Sequence, residues 1–152
     1  MTDSDERTSI WNDEWTSLGD EPHEGDARSR RLPHGDELGA TLYELPPDAV
    51  GGPYHFHHGQ EELLIVLRGQ PTLRTPDGKR KLGEGEVVHF KRGPSGVHAV
   101  SNPTTESVRY VMVSTLTSPD AVEYPDSAQL SVMAKTDSQF GEPLWDIRTI
   151  EE

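Results

Sequence analysis

The sequence predicts an all-β sandwich or barrel, and three observations carry that reading. Short apolar runs recur about every ten residues from Gly39 onward. Turn-forming residues stand between the runs, and none of the runs has the period of an amphipathic helix. Ala40 to Leu45 reads as the first strand, stopped by Pro46-Pro47 because proline brings no amide hydrogen to a ladder. Tyr54 to His57 is the second, and the apolar run Leu63 to Leu67 is the third, ending at Gly69. Thr72 to Thr75 and Arg80 to Leu82 flank Pro76-Asp77-Gly78, a turn signature that predicts a hairpin. Gly83-Glu84-Gly85 turns the chain into Val87 to Phe90, Val97 to Ser101 is broken by Asn102-Pro103, and Val108 to Thr115 is the last clear strand.

The run from Leu63 to Leu67 is apolar on both faces. One face belongs to the core, so the other needs a cover, either a terminal segment or a second subunit. A homodimer is the economical expectation. Three regions follow: an acidic N-terminal arm over residues 1–31, a β-barrel domain over 32–118, and a C-terminal extension over 119–152 that packs on the barrel or on a partner. In the arm, Trp11 and Trp15 stand at the i, i+4 spacing of one helix face. A short docking helix and an unstructured polar arm are both open there. The extension carries Tyr124, Phe140, Leu144 and Trp145 among polar residues.

At 152 residues the chain is sized for one domain with a true core. Cysteine is absent, which excludes disulfides, thiolate nucleophiles and cysteine-based zinc sites. Any metal must take nitrogen and oxygen donors. The formal charge of −13, from 27 acidic against 14 basic residues, argues against nucleic acid or an anionic membrane as partner. So acidic a surface with few lysines also fits a salt-adapted protein, which a melting temperature that rises from low to molar KCl would support. No apolar run approaches the roughly 20 residues that span a bilayer, and the first residues are polar, so a cytoplasmic protein is expected.

The chemistry concentrates at His55, His57, Glu62 and His98. Residues two apart on a strand share a face, so His55 and His57 aim their rings side by side. A turn at His58-Gly59-Gln60 would bring Glu62, opening the next strand, back toward that pair. Three neutral imidazoles and one carboxylate suit a divalent transition metal, whether Fe, Mn, Zn, Ni, Co or Cu. Since only the neutral ring donates its lone pair, acid should displace the ion. Glu61 is the alternative carboxylate. His89 is a weaker candidate, as an acid or base if it faces the cavity. Asn102 reads as a turn former and His58 as a solvent-facing turn residue. Tyr43, Phe56, Tyr110 and Met112 are candidate cavity walls, and Arg92 and Arg109 candidates for meeting a substrate carboxylate.

These residues resemble the two motifs of the cupin superfamily, small barrels with a metal in the mouth. The first motif is matched by His55-Phe56-His57, four residues, Glu62, six residues and Gly69. Gly85, Gly93, His98 and Asn102 fit the second, with Lys91 where a proline is usual and four residues rather than two before His98. Ala49 stands where the first motif's leading glycine would fall, and Gly51-Gly52 come later. The resemblance covers about residues 38–118. It implies a double-stranded β-helix, or jelly-roll barrel, with His55, His57, Glu62 and His98 as metal ligands. Four protein ligands leave open positions for a small oxygen-bearing substrate or dioxygen. Dioxygenase, decarboxylase and isomerase chemistries are all compatible with it. A non-catalytic module holding a small ligand through its metal is the alternative, and the N-terminal arm is too short and acidic for a DNA-binding output domain.

Overall fold

The computed structural model of the protein describes residues 8–15, 25–134 and 144–149. Phe140 lies outside these residues, as do the side chains of Leu144 and Trp145. The described chain is almost entirely β. Its strands are β1 (Arg28–Arg31), β2 (Leu38–Leu45), β3 (Phe56–His57), β4 (Glu62–Arg68), β5 (Thr72–Thr75) and β6 (Gly78–Lys81). They continue with β7 (Val87–Phe90), β8 (Ala99–Ser101), β9 (Val108–Thr115), β10 (Asp120–Tyr124), β11 (Gln129–Ala134) and β12 (Leu144–Thr149). One 3-10 turn, Pro94–Gly96, is the only helical element among the described residues.

Three antiparallel sheets form the jelly-roll barrel, with orders β1-β2-β9-β4-β7, β12-β11-β10-β3 and β6-β5-β8. The expected hairpin is present as β5-β6, with Thr75 opposite Gly78. The second expected strand is shorter than its sequence pattern, because only Phe56 and His57 form a ladder, with β10, while His55 makes an isolated bridge to His98. The turn at 58–60 therefore passes the chain between sheets, since β4 pairs with β7 and β9. Sheet pairing also extends to both sides of residues 32–118: β1 joins β2, and β10 joins β3.

Strand alternation builds the core. Leu64 and Val66 of β4, Leu45 of β2 and Val108 and Tyr110 of β9 point inward, where they meet Leu73, Leu82, Phe90 and Val100. Each leucine so buried contributes about 1.5–3 kcal/mol. The outer face of β2 and β9 is covered by the N-terminal arm. Residues 8–15 lie there as a turn and extended chain, not as the helix that the spacing of Trp11 and Trp15 allowed. Arg109 explains the difference: its guanidinium donates to the backbone carbonyls of Ile10 and Asn12 at 3.0 and 3.3 Å, carbonyls that a continuing helix would use itself. Trp15 stacks on Arg109 and Trp11 on Arg68, with 4.9 and 5.5 Å from guanidinium carbon to ring centre.

Candidate metal centre

Four of the predicted site residues reach one place, each by a different backbone device. Glu62 is the first residue of β4 and turns inward with Leu64 and Val66, so a carboxylate only 8% exposed sits where the core gives way to the cavity. His55 and His57 flank Phe56, whose ring is buried on the opposite face. His98 is brought in by a two-way backbone bridge, His55 N to His98 O at 3.1 Å and His98 N to His55 O at 3.0 Å. The four residues between Gly93 and His98 are accommodated by the 3-10 turn. A side chain at Gly96 would lie 1.8 Å from the Lys91 carbonyl oxygen, so this close turn requires glycine. Gly51 is similarly constrained, because a Cβ there would lie 2.2 Å from the Tyr110 hydroxyl. That contact gives Gly51, the first of the displaced pair, its structural role.

Donor atoms of His55, Glu62 and His98 all lie within 4.8 Å of one another. His57 joins them through Glu62, with Nε2 2.8 Å from Oε1. The rings are oriented from behind. His55 Nδ1 donates to Pro53 O at 2.7 Å, and His98 Nδ1 to Gly96 O at 2.9 Å. His57 Nδ1 donates to Asp120 Oδ2 at 2.6 Å. In the neutral ring a donor bond at Nδ1 fixes the tautomer and puts the lone pair on Nε2, which is how metal-binding imidazoles are usually held. Phe90 also stacks on the His98 ring at 3.7 Å between centres, which fixes its plane.

Burial and charge set the ionisation of the group. Burial pushes the His55 imidazolium down to about 4, aided by the neighbouring His98. For His57 burial works in the same direction, but hydrogen bonds to Asp120 and Glu62 outweigh it and the ring is pushed up to about 9. Burial alone would raise Glu62, yet the His57 and His98 rings that face it hold its carboxyl well below the usual carboxylate range. Glu62 is therefore an anion inside the barrel. Its Oε2 and the Nε2 of His98 lie 3.2 Å apart, but both are buried and neither makes a well-formed hydrogen bond. Unsatisfied buried polar atoms of this kind cost about 1–3 kcal/mol each. A cation between them would satisfy both, so the donor set fits a divalent transition ion.

Asp120 is the site residue that sequence reasoning missed. It is 2% exposed and also accepts from Gly59 N at 2.9 Å, tying the turn after His57 to β10. Its only local signal is strand alternation with Val122 and Tyr124, which line the cavity. Other candidates lie elsewhere. His89 alternates with the inward Val88 and Phe90, so it points out of the barrel and pairs with Glu61. Glu61 therefore faces away from the centre, and Arg92 joins it at 3.5 Å. Arg109 is buried on the outer face, against Asp13 and Glu44. His58 pairs with Glu123 at 2.8 Å, and Asn102 bridges Leu45 O, Glu106 O and Thr104 as a turn former.

The centre opens into a cavity of about 490 Å³, lined among others by Arg31, Tyr43, His55, His57, Glu62 and Met112. That size suits a small organic molecule. Tyr43 stacks on Tyr110 at 5.0 Å, and burial, then the Glu62 charge, raises its phenol above the ordinary range. Tyr110 lines a smaller recess behind it, and Phe56 is core.

A β-barrel with a histidine-carboxylate group in its mouth defines a class of small metal-centre barrels. Residues 41–114 match the cupin domain model, and over this stretch the chain is a cupin domain of the small-barrel type. Similar solved structures include a sugar phosphate isomerase of the cupin superfamily from Silicibacter pomeroyi, at 25% identity and TM-score 0.67, covering 78% of this chain and 80% of that one. A candidate sugar phosphate isomerase from Acidithiobacillus ferrooxidans matches at 27% identity and TM-score 0.61, over 76% of this chain and 73% of the other. The polyketide cyclase RemF from Streptomyces resistomycificus matches at 26% identity and TM-score 0.53, over 60% and 66%. No curated protein matches the chain.

Proposed function

We propose that this cupin holds a divalent transition ion through His55, His57, Glu62 and His98 and isomerises a small oxygen-bearing molecule, interconverting a carbonyl and a neighbouring hydroxyl. One observation carries the ligand set: every Nδ1 has a partner behind it, while Glu62 Oε2 and His98 Nε2 are buried without one. When bound, the ion would polarise a carbonyl or hydroxyl oxygen. The chain's own residues do the rest. Tyr43 stays protonated at neutral pH and can donate a hydrogen bond to a substrate oxygen, while Thr41, Gln60 and Ser114 offer further polar contacts along the cavity. Met112 and Val122 give it an apolar wall. Isomerisation is favoured over the oxygenase and decarboxylase readings by the likeness to a sugar phosphate isomerase.

The test is solvent deuterium exchange, followed by NMR, at the carbon next to the carbonyl in a panel of aldoses and ketoses, alongside elemental analysis and an oxygen electrode. Exchange without oxygen uptake supports the reading. Oxygen uptake on iron-loaded protein overturns it in favour of an oxygenase, and binding without exchange favours a non-catalytic ligand module. A homodimer remains part of the proposal, supported by half-buried Leu63, Ile65 and Leu67 beside Val87, which is 54% exposed on the same outer face. Light scattering at micromolar concentration tests it.

A further inference from the structure

We infer that Arg31 binds an anionic group of the substrate, a phosphate or carboxylate, at the far end of the cavity from Glu62. This rests on the reading of the cavity as a substrate site and adds the substrate's charge class. The register places the side chain. Arg31 is opposite Thr41, and Thr41 is opposite Met112, so the three form one row across β1, β2 and β9. Thr41 and Met112 line the cavity, and Arg31 lines it with them. Its neighbour Arg30 points the other way and donates to Ser9 O at 2.8 Å on the outer face. From β4, where Glu62 stands, to β1 is three strand spacings, about 14 Å along the sheet and less across the curved interior.

Charge makes the assignment. Although acids outnumber bases 27 to 14 in the chain, the cavity lining among the described residues contains one carboxylate, Glu62, and one guanidinium, Arg31. No described carboxylate pairs with Arg31, whereas Arg74, Arg80, Arg92 and Arg109 all pair with acids. A divalent ion on Glu62 would leave that end at net positive charge, so both ends of the cavity would attract an anion within an otherwise acidic molecule. A guanidinium presents a planar fork of donors that matches phosphate and carboxylate oxygens. The fitting ligand is an elongated polyol or ketose with its anionic group at one end and its chelating oxygens at the other.

Glucose, glucose 6-phosphate and glucuronate share one carbon skeleton and differ at its last carbon, so they isolate that charge. Calorimetric titration of manganese-loaded wild type, R31Q and R31K with these three sugars is the test, with manganese content measured for each protein. In wild type, glucose 6-phosphate or glucuronate should bind about tenfold or more tightly than glucose. R31Q should bring the anion to glucose's level, R31K should keep part of the gain, and glucose affinity and metal content should not change. Whichever anion gains more identifies the group as phosphate or carboxylate. Equal binding of the three sugars, no binding by either anion, or an R31Q protein that keeps the full preference overturns the inference. Deuterium exchange reads the isomerase proposal separately: a charge preference that depends on Arg31 without exchange would retain the anion site and remove the reaction.

Discussion

Two buried charges stand on opposite faces of one sheet, and they are treated in opposite ways. Arg109, 1% exposed on the outer face of β9, is surrounded by groups of fixed character. It bonds Asp13 Oδ1 at 2.7 Å, Glu44 Oε1 at 3.2 Å and two arm carbonyls, and only its Nε lacks a partner. Glu62, on the inner face, has only imidazoles for partners, and their charge depends on a proton. Arg109 is neutralised by the protein and serves to hold the arm. Glu62 is balanced only by a removable proton on His57, whose place an incoming cation can take, which is the property of a metal-binding carboxylate. A buried charge is thus informative about function only once its partners are known.

Five perturbations sharpen or break that contrast. The largest effect is expected for R109A, which strands Glu44 and releases the arm; urea denaturation should show a loss of about 3–5 kcal/mol with metal content unchanged. If R109A loses metal with little loss of stability, the two faces are not separate. E62Q should do the reverse. It keeps the shape, and metal affinity, measured by competition with a chelator, should fall by more than the about 10–100-fold typical of residues that only orient a ligand. D120N should fall within that 10–100-fold range, because His57 loses its charged support but keeps its own Nε2. A D120N protein as metal-poor as E62Q would make Asp120 a ligand instead.

The next test uses pH. In the metal-free protein His57 keeps its proton up to about 9, so taking up an ion expels one proton below that value. Affinity should therefore rise by about tenfold per pH unit toward about 9. The metal-free fold should respond in the opposite sense. His57's raised value stabilises it fully below the ordinary histidine range, near 6.5, and that contribution is lost as pH rises through about 9. The stability that Arg109 gives the arm, measured as the difference between wild type and R109A, should be the same across this window. Proton release in calorimetry across buffers of different ionisation enthalpy checks the first part, and denaturation with chelator present checks the second. The smallest effect is expected for W15A, about 1 kcal/mol of stability from the lost cation-π contact, with no change at the centre.

The inner face was far more legible than the outer. Glu62, His55, His57 and His98 sit at spacings that strand alternation and two turns convert into convergence, and the strands from Leu38 to Thr115 follow from apolar runs and their breakers. Trp11 and Trp15 suggested docking without its form, since the turn depends on Arg109, ninety-odd residues later in the chain. His89 shows how one residue of strand phase decides a role: the same strand that turns Phe90 inward sends His89 out to Glu61.

By itself the sequence determined the barrel, the nitrogen-oxygen character of the donors at its candidate centre and the strongly acidic charge, because these depend on local alternation, turn chemistry and composition. Tertiary structure alone decided that Asp120 stands behind His57, that Arg31 faces the cavity while Arg30 does not, and that Arg109 belongs to the arm. Each of these depends on which strands pair and in what register, and a pairing between distant segments leaves no mark on the residues beside it in the chain.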